Sequence, residues 1–155
     1  MIFKPPQNIS KRDFSKTSFF LAGSIEMGSA EDWQKEMETF LSGLGCDVFN
    51  PRRDDWDSSW EQKFENSQFY QQVNWEMDAL DKADNILFYF APGTKSPISL
   101  LELGLYAHSR KIFVVCPEGF WRRGNVEMVC NRYGIRFFES LLDFRNYYGA
   151  KAWRD

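Results

Sequence analysis

Glu102 sits in the segment PISLLELGLYA, residues 97–107, with apolar residues on almost every side. On a helix its neighbours three and four positions away are Ile98, Ser99, Leu105 and Tyr106, and Leu101 and Leu103 flank it directly. A helix that is apolar nearly all round is a buried helix, and a carboxylate inside one is costly unless it is paired or used. Two readings stay open. Either Glu102 is satisfied by a cation or lies at a rim, or it faces a cavity where its charge does chemistry. Burial would raise its pKa, and hydrogen bonds would lower it again.

A second carboxylate stands in QQVNWEMDALDKAD. At about 100° per residue, the apolar stripe Phe69, Val73, Met77 and Leu80 is centred near Val73. Glu76 then lies beside that stripe, while Asp78 points to the opposite, solvated side. Glu76 can reach a site at the helix margin, or it is an ordinary solvated flank. His108 is the one histidine in the chain, which argues against a histidine-based triad or a histidine-ligated zinc site. The run Gly23-Ser24-Ile25-Glu26-Met27-Gly28 lacks the GxGxxG spacing of a dinucleotide site, so neither a cofactor nor a metal is expected. Chemistry by carboxylates alone fits glycoside cleavage, where one acid group attacks the anomeric carbon and another serves the leaving group.

The elements that must position these groups alternate along the chain. Residues 1–16 read as a polar arm, and residues 17–155 as a single domain. Short apolar runs at 18–22, 46–49, 84–91, 112–116 and 136–138 are expected strands. Between them, helices are expected from Ser29 to about Gly45 (Trp33, Met37, Phe40, Leu41 and Leu44 on one face), over 69–82, from Ser96-Pro97 through His108, over 125–133, and over 141–148. Residues 52–67 carry tryptophans without a period and read as a long loop. Strands that are continuous apolar runs point to a parallel sheet covered on both faces. The expected fold is therefore α/β: a flavodoxin-like, doubly wound, five-stranded parallel sheet with helices on both faces. Ligands in such folds bind beyond the carboxyl ends of the strands, here Gly23-Ser24, Asn50-Pro51-Arg52, the stretch from Ala91 to Ser96, and Pro117-Glu118.

Composition limits the partners. A net charge of −3, with basic groups only in pairs (Arg52-Arg53 and Arg122-Arg123), argues against a nucleic-acid partner. No window approaches a membrane span, and the first sixteen residues have no apolar stretch of signal length, so no membrane is expected. Three cysteines without CxxC spacing, two of them in or beside apolar runs, suit a reducing, cytoplasmic compartment. Aromatic residues make up 17% of the chain, a load that fills a core or an oligomer interface and can also stack on flat ligands.

The ordered set LAGS (21–24), NPRR (50–53), WEMDAL (75–80), AD plus an apolar strand (83–90), ELGLYA (102–107) and RRGNVE (122–127) resembles the nucleoside 2-deoxyribosyltransferase family, in particular its compact "like" branch, over roughly residues 17–138. The resemblance implies a flavodoxin-like fold and transfer of 2-deoxyribose between nucleobases through a covalent glycosyl-glutamate, with retention. It makes Glu102 the nucleophile and Glu76 the carboxylate that moves a proton to and from the base. It implies a homo-oligomer in which Asn125 reaches the sugar in a neighbouring subunit's site. The expected small molecules are 2′-deoxynucleosides and free nucleobases, as in nucleotide salvage. Gly23, Ser24, Asn50, Arg52 and Ser96 are candidate substrate contacts at the strand ends, and Trp56, Trp60 and Trp75 are candidates to stack on the base or to pack. Three family features differ: a first-strand tyrosine is Phe19 or Phe20 here, a carboxylate six residues before the nucleophile in some members is Ser96, and Glu127 stands where the family can have an apolar residue. Two rival readings share the fold. One is an N-glycosidase of 2′-deoxynucleoside 5′-monophosphates, with Ser24, Ser96, Ser99 and the Arg122-Arg123 pair on the phosphate; the other is a non-catalytic nucleotide-binding protein.

Overall fold

A computed structural model of the chain describes residues 1–25, 32–53, 55, 57 and 59–152. The described residues contain six strands: β1 (Ile2–Phe3), β2 (Ser18–Gly23), β3 (Asp47–Phe49), β4 (Asn85–Tyr89), β5 (Ile112–Val115) and β6 (Arg136–Phe138). Five α-helices follow β2 to β6 in turn: α1 (Trp33–Gly43), α2 (Ser67–Lys82), α3 (Pro97–Tyr106), α4 (Arg123–Tyr133) and α5 (Leu141–Ala152). All pairs are parallel, in the order β1-β3-β2-β4-β5-β6. The sheet is α/β and doubly wound as expected, but it has six strands rather than five. The extra one is Ile2–Phe3, whose Phe3 aligns with Phe49 at the edge. Two residues are too few for any periodicity to register in sequence. The polar arm is therefore partly built into the domain: Phe3 and Ile9 are buried, and Trp75 Nε1 donates to the Gln7 carbonyl at 2.8 Å.

Alternate residues of each central strand serve opposite layers, which is why these strands read as unbroken apolar runs. Phe20 and Ala22, Ile86 and Phe88, and Val114 face α2, α3 and α4 through Trp75, Ala79, Leu80, Leu103, Val126 and Cys130. Phe19 and Leu21, Leu87, and Val115 face α1 and α5 through Trp33, Met37, Leu41 and Phe144. Each such fully buried large side chain contributes roughly 1.5–3 kcal/mol relative to exposure.

Helix ends follow from capping chemistry. Asp32 accepts from the Lys35 N–H and starts α1, so the helix begins after Asp32; the expected start at Ser29 lies outside the described residues. Asn66 accepts from the Phe69 N–H at 2.9 Å and starts α2 two residues earlier than expected. Lys111 Nζ donates to the carbonyls of Leu80, Asp81 and Ala83, closing the carboxyl end of α2 where a cation is favoured.

Two expectations about helix faces are corrected. The buried face of α2 is Gln72, Trp75, Ala79 and Leu80, whereas Met77 is 53% exposed and Phe69 and Val73 only half-buried. A polar residue, Gln72, holds a core position, and an apolar one, Met77, faces out; the stripe read from hydropathy was rotated by the swap. Helix α3 is not buried all round either. Ile98, Leu101 and Leu105 are 60%, 60% and 65% exposed, while Ser99 and Leu103 face the sheet.

Candidate active site

Helices α2 and α3 lie side by side on one face of the sheet, joined by a hydrogen bond from the Tyr106 hydroxyl to Asp81 at 2.5 Å. One turn earlier on each helix stand Glu76 and Glu102. Both are half-buried. Among the described residues, Glu102 takes no hydrogen bond and neither glutamate forms an ion pair. Burial pushes Glu76 up to about 7, against one hydrogen bond from Gln72 that pulls it down. Burial also pushes Glu102 up to about 8, and the charge of Glu76 adds to the rise. With both carboxyls raised in this way, each holds its proton to higher pH than an exposed glutamate does. The cation-paired reading of Glu102 is thus not what the structure contains.

The carboxyl ends of β2 and β4 and the start of α3 form the second part of the region. Gly23 ends β2 with φ +145°, and a Cβ there would lie 2.2 Å from the Tyr89 carbonyl oxygen, so glycine is what lets β2 close against β4. The next residue, Ser24, is buried, and its Oγ lies 2.8 Å from Thr94 Oγ1 and 2.6 Å from Ser96 Oγ. Thr94 and Ser96 are 3.1 Å apart, completing a triangle of hydroxyls. The Ala91 N–H donates into it at Ser24 Oγ (3.0 Å), and Thr94 donates out of it to the Ala91 carbonyl (2.8 Å). Ser96 holds a left-handed conformation, φ 47° and ψ 52°, at the entrance to α3, which costs a non-glycine residue roughly 1–2 kcal/mol. Ser99, also buried, is one turn before Glu102 on the same helix.

Other expected site residues are placed differently. Asn50 is 2% exposed and has both ends of its amide engaged: Nδ2 donates to Glu38 at 2.7 Å, and Oδ1 accepts from the Arg52 N–H at 2.9 Å. It shapes the turn after β3. Arg52 reaches Gln34 and Asp32, at 3.4 and 3.5 Å. Trp75 packs in the core against the amino-terminal segment rather than beside the carboxylates. Trp60 lies under the Arg53 guanidinium, and Trp56 lies outside the described residues. Asn125 is exposed near the start of α4. Arg123 is committed to Glu139 through two 2.8 Å contacts and to the Cys116 carbonyl, whereas Arg122 stacks on Trp121. Phe19 and Phe20, where the family often has a tyrosine, are both core residues.

Three residues escaped sequence reading. Gln72, 5% exposed, donates through Nε2 to Glu76 at 2.6 Å and to the Pro51 carbonyl at 2.9 Å. Thr94, the third hydroxyl, was signalled only by its place in a strand-end loop. Trp121 meets both Lys95 Nζ and the Arg122 guanidinium, 4.2 and 4.3 Å from its ring centroid, and its Nε1 donates to the Lys95 carbonyl. A shallow recess lined by Thr17, Asn85, Phe113 and Lys151 lies at the opposite, amino-terminal end of the strands, away from both glutamates.

A family model described as "Nucleoside 2-deoxyribosyltransferase like" matches residues 16–120, more than half of the chain. The chain belongs to this family. Among solved structures, it is similar to a 2-deoxyribosyltransferase from the psychrotolerant bacterium Bacillus psychrosaccharolyticus, with a TM-score of 0.61 and 21% identity over 88% of this chain and 96% of that one. It is also similar to a conserved protein from Enterococcus faecalis V583, with a TM-score of 0.60 and 11% identity over 84% of this chain and 96% of that one. At such identities the likeness is one of fold. No curated protein matches the chain. No helix among the described residues is long and apolar enough to cross a membrane.

Proposed function

We propose that this chain transfers 2-deoxyribose between nucleobases by double displacement at C1′. The carrying observation is the placement of Glu76 and Glu102 on the neighbouring helices α2 and α3, both half-buried and, among the described residues, both without a cation partner. Ionised Glu102 attacks C1′ while the C1′–N bond breaks, and its electron pair passes to the base nitrogen. Glu76 supplies the proton that the departing base takes up. The product is a deoxyribosyl ester on Glu102. A second base attacks the same carbon, loses its ring proton to Glu76 and expels the carboxylate, so the two inversions sum to retention. Positive charge at C1′ in the transition state favours ionised Glu102, which offsets the burial that raises its pKa in the empty site.

A homo-oligomer in a cytoplasmic setting belongs to this proposal. Ile98, Leu101 and Leu105 form a one-sided apolar stripe on α3, with Met77 on α2 and Met128 on α4 also exposed on the same helical layer. A second copy of the chain would cover that face next to Glu102 and bring Asn125 of its own α4 towards the sugar. Gly23, Ser24 and Ser96 would border the sugar end of the site. Asn50 and Arg52 would shape the base end, with Trp60 and Trp56 as ring partners for the base.

A second reading is favoured by the hydroxyl triangle. Ser24, Thr94 and Ser96 would supply donors to a 5′-phosphate, since hydroxyl hydrogens rotate without movement of their oxygens. Hydrolysis of 2′-deoxynucleoside 5′-monophosphates would use the same carboxyl pair, with water as the second nucleophile. Incubating the protein with each natural 2′-deoxynucleoside or its 5′-monophosphate, with and without a free base, separates the two. Base exchange from nucleosides supports transfer. Base release from monophosphates alone supports hydrolysis, and no turnover of either, with Glu102→Ala equal to the parent, refutes both.

A further inference from the structure

Gln72 occupies a buried position of α2 that hydropathy would assign to an apolar side chain. A buried amide is retained at a cost unless its hydrogen bonds do something. Its Nε2 spans two elements, donating to the Pro51 carbonyl in the turn after β3 and to Glu76 Oε1 one helical turn away. Its Oε1 is buried without a partner among the described residues. The amide is thus anchored through Nε2 alone, on the acid and on the turn.

We infer that Gln72 is a positioning residue for Glu76, a strut that ties the carboxyl to the strand-end turn and fixes which of its oxygens faces the substrate. This rests on the proposed role of Glu76 in serving the leaving base. With Oε1 bound to the amide, Oε2 is the oxygen left to carry the transferred proton. The grip is stronger on an ionised carboxylate than on a neutral acid, so it also favours release of the proton to the departing base. On α3, Glu102 is close enough to feel the charge of Glu76, with Tyr106 a turn further on and bound to Asp81. From the turn after β3 it is linked, through Gln72, to the uncharged Pro51 carbonyl, while the Arg52 side chain is directed to Asp32 and Gln34.

The test is a double-mutant cycle of Gln72→Met and Glu76→Gln, using the natural 2′-deoxynucleoside that exchanges fastest. Gln72→Met keeps the volume and removes the donor. It is expected to lower kcat about ten- to a hundredfold with KM little changed, the cost of a misplaced proton donor. In the Glu76→Gln background it is expected to have no further effect, because the strut then holds nothing that transfers a proton. The two limbs of the kcat profile belong to the Glu76–Glu102 pair and should move up in Gln72→Met by about one pH unit in sum, the size of one lost charge-assisted hydrogen bond. If Gln72→Met does not fold, Gln72→Leu replaces it, with the same upward movement expected. Equal losses in both backgrounds, two unmoved limbs, or a Gln72→Met protein at the parent rate would overturn the inference while leaving the role of Glu76 intact. A Glu76→Gln protein at the parent rate would instead remove the acid role, and this inference with it.

Discussion

Replacing Glu102 by glutamine should stabilise the fold while abolishing transfer, and the gain should depend on pH in a defined direction. The Glu102 carboxyl rises from an ordinary 4.5 to about 8 in the folded chain, so the fold binds its proton more tightly than the unfolded chain does. Stability is therefore undiminished below the unfolded value and is lost as pH rises through the folded one. At about 1.4 kcal/mol for each tenfold change in proton affinity, the ionised group weighs roughly 4 kcal/mol against the fold at pH 8. Partial solvent exposure and the share owed to Glu76 reduce the part that Glu102→Gln relieves to about 2–3 kcal/mol. For a chain of this length that corresponds to a melting temperature higher by about 4–10 °C at pH 8. At pH 5 the same arithmetic leaves under about 1 kcal/mol, and the two proteins should melt within roughly 3 °C of each other. Thermal unfolding followed by circular dichroism at pH 5, 7 and 8 reads this directly. A variant that melts at or below the parent temperature at pH 8 would mean that the carboxylate is well solvated, and the reasoning from burial would fail.

Glu76→Gln should slow base exchange about 10²- to 10⁴-fold for donors with poor leaving bases and much less for an activated leaving group that needs no proton, as kcat measured across a donor series would show. Leu101→Glu combined with Leu105→Glu should shift the chain to a smaller species in sedimentation and lower activity with it; unchanged mass at micromolar concentration would dismiss the α3 stripe as an interface. Gly23→Ala places a Cβ 2.2 Å from the Tyr89 oxygen and should cost about 3 kcal/mol or more in denaturant unfolding. Ser96→Ala should weaken use of 5′-monophosphates far more than that of nucleosides if the hydroxyl triangle meets phosphate, a comparison of kcat/KM values between the two donors.

The sheet was legible because its strands are covered on both faces. Runs such as SFFLA and NILFY have no polar alternation to obscure them, and the short β6, Arg136–Phe138, was located by the Gly134 break before it. The strand at Ile2–Phe3 was not, since two residues followed by Pro5-Pro6 carry no period. Glu102 stood out as a charge in an apolar helix, but the same apolarity misled on burial. A side chain that faces a second chain and one that faces its own core are equally hydrophobic, so Leu101 and Leu105 could not be sorted by type. The engagement of Asn50 and the packing of Trp75 have no local pattern, because their hydrogen-bond partners, Glu38 and the Gln7 carbonyl, are distant in sequence. Gln72 was invisible for the converse reason, as a polar residue in a core position of an otherwise regular helix.

The central claim is a bond between Glu102 and a sugar carbon. The protein incubated with a 2′-deoxynucleoside and no acceptor base, then quenched in acid and digested, should give a Glu102-containing peptide heavier by one anhydro-2-deoxyribosyl unit, fragmenting to place the mass on Glu102. Adding a free base before the quench should remove the adduct and yield the exchanged nucleoside. Turnover with the peptide unmodified under every quench, and retained in Glu102→Ala, would contradict the account.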